Sequence, residues 1–293
     1  MHGLREYFLI FLKGMAMGAA DVVPGVSGGT IAFITGIYER WIQALSRLPG
    51  AFKWWRTQGF AAMWAHIHGN FLLALVAGIL TAILLFARGV RWLLMHEPIL
   101  LWAFFFGLVL ACIWFLRRDI SRWHGKTVTA ALIGMVAAIA ISLMPALAPG
   151  AHGLPYIFFA AALAICAMIL PGISGAFVLV LLGAYGTVLD AVHHWDLAVL
   201  ATFACGALVG LLSFARLLEW LFATHREVML ALLTGFIAGS LVKLWPWQTA
   251  EGHAWPWQLA EPQIFAALLC MAGGFALVFV LETAAGRLAR AKR

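Results

Sequence analysis

The sequence predicts an all-α integral membrane protein built from two inverted-topology repeats. Each repeat is a Pro-Gly-broken, re-entrant helical hairpin followed by three transmembrane helices. Three observations carry this expectation. Of 293 residues, 64% are hydrophobic and 11% charged, against roughly 45–50% and 25% in a soluble domain, so too little polar surface remains to cover the chain in water. Several apolar runs are long enough to cross hydrocarbon. Two further apolar stretches are interrupted near their middles by Pro-Gly, and the two interruptions match each other.

The spans come first. Apolar runs occur at 70–94, 98–116, 127–145, 197–222, 227–244 and 263–284. About 20 residues at 1.5 Å each cover a hydrocarbon core of about 30 Å, so each run is long enough for a membrane helix. The stretches 5–45 and 156–192 are different. Asp21-Val-Val-Pro24-Gly25-Val26-Ser27-Gly28-Gly29-Thr30 breaks the first and Leu170-Pro171-Gly172-Ile173-Ser174-Gly175-Ala176 the second. Proline bars the residue before it from helix and glycine opens tight backbone turns. Each stretch therefore reads as helix, sharp turn at Pro24-Gly25 or Pro171-Gly172, then helix, a hairpin whose arms re-enter or span.

The breaks form an internal repeat. At an offset of 147, Pro24, Gly25, Ser27, Gly28, Gly36, Tyr38 and Ala44 fall on Pro171, Gly172, Ser174, Gly175, Gly183, Tyr185 and Ala191. Further along the offset becomes 128, so that Phe86-Ala87-Arg88 falls on Phe214-Ala215-Arg216 and Gly78 on Gly206. The change places an extra stretch of about 19 residues in the polar segment 46–69 of the first half. The chain is thus expected to be one transmembrane domain, 1–293, of two repeats, 1–145 and 146–293. Three spans per half is odd, so the second half enters from the opposite side.

Charge agrees with that parity. With a cytoplasmic N-terminus, the inner segments hold Arg40, Arg47, Lys53, Arg56, Arg117, Arg118, Arg122, Lys126, Arg226 and the basic C-terminus, while the outer segments hold little beyond Arg91 and Lys243. This is the cytoplasmic excess of Lys and Arg seen in multi-pass proteins, and it accounts for the net charge of +7. Nucleic acid is not expected as a partner, since no basic run is interleaved with stacking aromatics. Cys112, Cys166, Cys205 and Cys270 lie in apolar runs without CxxC spacing and read as core residues. The apolar run from Tyr7 is cut by Lys13 and does not read as a signal peptide. An outer tandem, Trp245-Pro-Trp-Gln and Trp255-Pro-Trp-Gln, reads as interfacial anchoring, with a substrate-facing lid as the alternative.

Inverted repeats with broken membrane segments are the architecture of secondary transporters, whose binding site lies where the broken pieces meet. Ser27, Gly28, Gly29 and Thr30 open the second arm of the first hairpin, and Ser174 and Gly175 open that of the second. A helix start offers free N–H groups to an anion, and the same residues would serve equally to cap and pack two turns. Arg88 and Arg216 lie at matching positions inside apolar runs, where a charge is costly. They are candidates for phosphate or carboxylate binding through the guanidinium fork, with snorkelling as the alternative. Asp21, Lys13, Glu39 and Glu282 are candidates for coupling or gating. Asp21 would also serve to satisfy turn amides, Glu39-Arg40 would be a surface pair, and Glu282 would pair with an arginine. Gly25-Val26-Ser27-Gly28 also matches a serine-enzyme pattern, but a nucleophile needs a base within reach, and all ten histidines lie in loops or at span ends. No catalysis, cofactor or metal is expected.

The stretch from Lys13-Gly14 through Asp21, Pro24-Gly25-Val26-Ser27-Gly28-Gly29-Thr30 and Gly36-Ile37-Tyr38-Glu39-Arg40 closely resembles the polyprenyl-phosphate transporter family of bacterial and archaeal membrane proteins. Leu170-Pro171-Gly172-Ile173-Ser174-Gly175 resembles that family's second motif. Asp21 stands where an asparagine is common and Ala176 where a serine is expected. The resemblance implies a flippase of the bacterial cytoplasmic (inner) membrane, with both termini cytoplasmic. It would recycle undecaprenyl phosphate, the lipid carrier of cell-wall biogenesis, from outer to inner leaflet. The alternative is an ion-coupled transporter or channel for a small anion using the same tips. The expected partners are the lipid bilayer and an isoprenoid lipid monophosphate. A proton or sodium ion as coupling partner, and a homo-oligomer, stay open.

Overall fold

In the computed structural model, residues 2–22, 27–148, 153–249 and 252–290 are described, with side chains from 5 to 280 among them. Helices α1 (His2–Asp21), α2 (Gly28–Ile34) and α3 (Tyr38–Arg47) form the first broken stretch. A 3-10 turn leads to α4 (Ala51–His66), α5 (Gly69–His96), α6 (Pro98–Asp119) and α7 (Gly125–Leu143). The second broken stretch is α8 (Leu154–Ile169), α9 (Gly175–Leu181) and α10 (Tyr185–His194), followed by α11 (Leu197–Ser240), a two-stranded hairpin of β1 (Gln248–Thr249) and β2 (Gly252–His253), and α12 (Ile264–Arg290). Among the described residues, four helices are long and apolar enough to cross a membrane, or five if the bent pair α9 and α10 is counted as one span. This is an all-helical, multi-pass membrane protein.

The apolar runs became helices, with two differences from the expectation. The run 197–222 and most of 227–244 fall within one helix, α11, interrupted at His225 (φ −135°, ψ 46°). Its 44 residues correspond to about 66 Å, twice a hydrocarbon core. The second arm of each hairpin is itself broken, α9 and α10 being bent by 108°. The cause is the same in both: Gly36 and Gly183 adopt φ of +69° and +65°, and helix-ending bonds close around them. Gly36 N–H donates to Phe33 O and Ile37 N–H to Ala32 O, just as Gly183 N–H donates to Val180 O and Ala184 N–H to Leu179 O. This paired-bond motif satisfies the last carbonyls of a helix and favours glycine at the left-handed position. The polar segment 46–69 is mostly helical, as α4.

The chain folds into two compact units. The first comprises residues 1–85 and 143–229, and so holds both broken stretches. Within it α1 lies against α5 with backbones nearly touching: a Cβ on Gly14 would strike the Leu75 carbonyl, one on Gly18 the Ile79 carbonyl, and one on Gly78 the Phe11 carbonyl. In the second half a Cβ on Gly206 would strike the Phe158 carbonyl and one on Gly210 the Ala162 backbone, packing α11 against α8. Small residues four apart allow such approach where lipid supplies no hydrophobic drive. Phe11 with Gly78 and Phe158 with Gly206 are the pairs that the offsets of 147 and 128 equate. The buried side chains here include Met17, Tyr38, Ile42, Phe71, Leu75, Ile157, Ile169 and Leu218.

The second unit comprises residues 86–142 and 230–293. In it α6 packs on α12, where Gly107 faces the Met271 carbonyl and Gly274 that of Phe104, and α7 packs on the end of α11 through Gly134, Gly235 and Gly239. The tryptophan tandem folds over one end of α6 and α12. Trp247 is buried with Ala103 and Ala267, its indole N–H donating to Pro262 O at 2.7 Å. Trp255 and Trp257 stack in parallel, ring centroids 5.1 Å apart, and stay exposed.

Candidate functional site

The site is built where the two broken stretches meet inside the first unit. Ser27 caps α2: its backbone is extended and its Oγ accepts the Gly29 N–H at 3.1 Å, the ordinary way a helix start satisfies a free donor. The same Oγ lies 3.4 Å from the carbonyl oxygens of both Met168 and Leu170 at the end of α8. Gly172 N–H donates to Thr30 Oγ1 at 2.8 Å, and the Tyr38 hydroxyl donates to Ile169 O at 3.2 Å. Three side chains of the first stretch thus hold the turn of the second. Ser27, Thr30 and Tyr38 are all buried, so their polar groups need these partners.

The start of α2 is satisfied internally. Gly28 N–H donates to Asp21 Oδ1 at 2.6 Å, a charge-assisted bond to an exposed residue at the end of α1. Asp21 therefore satisfies a turn amide, one of its two expected roles. A carboxylate oxygen sits where the α2 start would hold an anion. The second tip differs. Ser174 is the N-cap of α9 but makes no side-chain cap bond, and it is half-buried. There the repeat mate of Asp21 is Met168, whose thioether is only a weak acceptor and carries no charge.

Close packing at the tips depends on glycine. A Cβ on Gly29 would lie 2.9 Å from Ile169 O and 3.3 Å from Met168 O, and one on Gly28 would press on the Asp21 carboxylate. One on Gly175 would lie 2.7 Å from Ala164 O. Pro171 is buried and Gly172 takes φ of +91°. Pro24 and Gly25 lie outside the described residues.

The remaining candidates make other contacts. Lys13 Nζ donates to the Thr35 carbonyl at 2.5 Å, a cation on the C-terminal end of α2, where unpaired carbonyls favour it. Glu39 pairs with Arg226, Oε1 to Nη2 at 2.8 Å, and Arg40 with Glu6 at 2.9 Å. Glu39 and Arg40 are thus surface pairs with other partners rather than with each other, and the first ties α3 to the break in α11. Arg88 and Arg216 are exposed on apolar helices, and among the described residues neither has an ion-pair partner. Glu282 lies in α12 outside the described side chains. The partners of Ser27 are an amide and two carbonyls, with no base among them. Among the described residues no group of His, Cys, Asp and Glu is arranged to hold a metal.

Two contributors, Tyr38 and Arg226, are not among the site residues that the sequence predicts. Tyr38 stands out in the sequence as a repeat match and as part of the family-like stretch, and its hydroxyl is a main tie between the hairpins. Arg226 was counted only as an inner charge. A tyrosine two residues after a helix-ending glycine, in both halves, is the signal that points to the former.

Residues 17–258, more than half of the chain, match the family described as VCA0040-like: Undecaprenyl phosphate translocase-like. A protein of Vibrio cholerae serotype O1 named polyprenyl-phosphate transporter is 46% identical over 247 residues, covering 83% of this chain and 79% of its own. One of Staphylococcus aureus with the same name is 32% identical over 254 residues, covering 80% and 85%. No solved structure matches significantly. These names are those of transporters and a translocase, not of enzymes. With the family match and both relatives spanning most of its length, the chain belongs to the VCA0040-like, undecaprenyl phosphate translocase-like family.

Proposed function

We propose that this protein transports a polyprenyl monophosphate, undecaprenyl phosphate in a bacterium, across the cytoplasmic membrane from the outer to the inner leaflet. Both termini are cytoplasmic in this reading, and the halves 1–145 and 146–293 are inverted repeats. The observation that carries it is the docking of the two broken hairpins through Ser27, Thr30 and Tyr38, in a family described as translocase-like. The lipid's apolar tail stays in hydrocarbon while its phosphate passes the tips. Ser174 and Gly175, where the cap is unfilled, offer donors first. Ser27, Gly28, Gly29 and Thr30 offer theirs when the phosphate replaces the Asp21 carboxylate on Gly28 N–H. Arg88 and Arg216 bind the phosphate through their planar donor forks. Lys13 and Glu39 gate the passage by holding α2 and α3 to α1 and α11.

Native mass spectrometry of the purified protein tests the recognition step. Undecaprenyl monophosphate should bind well above the corresponding alcohol, and Arg216→Lys should narrow the difference. Equal retention of phosphate and alcohol would refute headgroup recognition. Binding of inorganic phosphate to the same extent as the lipid would favour a small-anion transporter.

A further inference from the structure

The segment that only the first half carries, α4, has a surface whose chemistry the transport reading leaves unused. Its helix is interrupted at Gly59, which takes φ +84° and ψ 174°. No atom lies near a Cβ built there, so the glycine serves the backbone bend and not packing. The chain folds back, and Trp54 stacks on His66 with ring centroids 4.5 Å apart.

Other rings of α4 are exposed. Phe52 and Trp55, one helical turn apart, contact edge to face at 6.0 Å, and the Arg56 guanidinium lies 5.8 Å from the Phe52 ring. Phe52, Trp55 and Phe60 are 61%, 52% and 61% exposed. Lys53 and Arg56 are exposed as well, and among the described residues neither has an ion-pair partner. From Arg40 to His96 the sequence contains no acidic residue. The surface therefore offers large apolar rings and uncompensated positive charge on one short element. It is tethered two residues before α5, a helix that qualifies as a membrane span and whose Leu73 is 61% exposed.

We propose that α4 docks on the surface of the bilayer itself. Phe52, Trp55 and Phe60 enter the boundary between headgroups and acyl chains, and Lys53 and Arg56 contact anionic lipid phosphates. The charge complementarity selects this occupant: a cationic aromatic face suits an acidic lipid surface, and continuity with a spanning helix holds it there. The proposal rests on the chain being membrane-embedded and not on the identity of a transported molecule, so it stands or falls apart from the transport reading.

The test places single nitroxide labels at Trp55, Phe60 and Thr57 in the full chain with its four cysteines replaced by alanine, in nanodiscs of phosphatidylcholine with or without phosphatidylglycerol. Thr57 lies away from the Phe52–Trp55 face and serves as the control. Labels at 55 and 60 should collide severalfold more with oxygen than with a water-soluble nickel chelate, and the label at 57 the reverse. Phosphatidylglycerol should deepen the first two, and Lys53→Glu with Arg56→Glu, or high salt, should remove that added depth. A monodisperse elution profile identifies the folded variants, and wild-type protein labelled by lipid-borne photoreactive groups, followed by peptide mapping of 51–66, provides the arm free of cysteine replacement. Labels at 55 and 60 open to the nickel chelate in both nanodiscs, or peptides of 51–66 free of lipid adducts, would overturn the proposal. Dipolar broadening with protection from both reagents would show a second copy of the chain on this face and would overturn it equally.

Discussion

Gly29 and Ser27 lie two residues apart at the start of α2, yet the structure assigns them unequal sensitivities. Gly29 is buried inside α2 with ordinary helical geometry, so alanine there meets no backbone strain. The obstacle is space: its Cβ would lie 2.9 Å from the Ile169 carbonyl and 3.3 Å from that of Met168. Those are backbone atoms of the other hairpin and cannot rotate aside. The hairpins must separate by about 0.5 Å to restore ordinary contact, weakening the bonds from Ser27, Tyr38 and Gly172. Overpacking of this kind costs about 1–3 kcal/mol, and the cost falls on the joint between the tips. Ser27→Ala removes one cap bond of 3.1 Å and a weak contact with two carbonyls, worth about 1 kcal/mol, and leaves the hairpins' spacing unchanged. Thermal midpoints of the purified variants by size-exclusion chromatography, read beside leaflet exchange of labelled lipid in proteoliposomes, should rank wild type above Ser27→Ala above Gly29→Ala. Transport by Ser27→Ala should fall by about tenfold or less, since 1.4 kcal/mol corresponds to tenfold. A Gly29→Ala protein indistinguishable from wild type, or complete loss in Ser27→Ala together with a serine-directed phosphonate adduct at Ser27, would refute this reasoning. The latter would point to a nucleophile.

Other expectations follow from single contacts. Cysteine at Ser121 should be shielded in intact cells from an impermeant thiol reagent added outside, and cysteine at Ala260 should react; labelling at 121 would contradict the inverted topology. Arg88→Lys and Arg216→Lys should each impair transport while expression holds, because lysine keeps the charge but loses the donor fork; normal transport in both alanine variants would remove them from the site. Asp21→Asn should retain the fold, since an amide oxygen can still accept from Gly28 N–H, whereas Asp21→Leu should lower the thermal midpoint; equal midpoints would show that the bond carries nothing. His68, beside α4, accepts from Arg47 Nη1 at 2.8 Å. Burial first, then the charges of Arg47, Arg40 and His66, hold its pKa below the usual 6.5. A depressed histidine stabilises the fold above its unfolded pKa and loses that contribution as acid protonates it, so the midpoint should drop below about pH 6.5 and His68→Gln should flatten the drop.

Much of the fold was legible because hydropathy in a bilayer leaves few choices. Runs such as 70–94 and 98–116 had to become helices, since the only other backbone that satisfies its hydrogen bonds in lipid is a closed barrel of short, alternating strands. The breaks were legible through Pro171 and the glycines beside it. The further bends at Gly36 and Gly183 were present in the sequence as matched glycines but were read only as repeat markers, because an apolar helix shows no hydropathy change where a left-handed residue ends it. The helix α4 is not legible for the opposite reason: its aromatic and basic residues mask helical periodicity, and the positive φ of Gly59 interrupts it. At the site, the types Ser27, Gly29 and Thr30 pointed to a helix start, and the helix start is there. Their partners on Met168, Leu170 and Gly172 were not legible, since contacts across more than 140 residues leave no local pattern. That Asp21 would hold the Gly28 amide was one of two readings, and only the geometry separates them.

The account turns on movement of a phosphorylated lipid between leaflets. The direct measurement is proteoliposomes carrying fluorescent polyprenyl monophosphate, with the headgroup in the outer leaflet removed by an impermeant phosphatase and the protected fraction followed in time. Wild-type protein should empty the protected pool, Gly29→Ala and the double variant Arg88→Lys, Arg216→Lys should slow the emptying, and a fluorescent phosphatidylglycerol should not move faster than in protein-free vesicles. A protected pool that stays at the protein-free level with well-folded wild-type protein, across imposed proton and sodium gradients of either direction, would contradict the account.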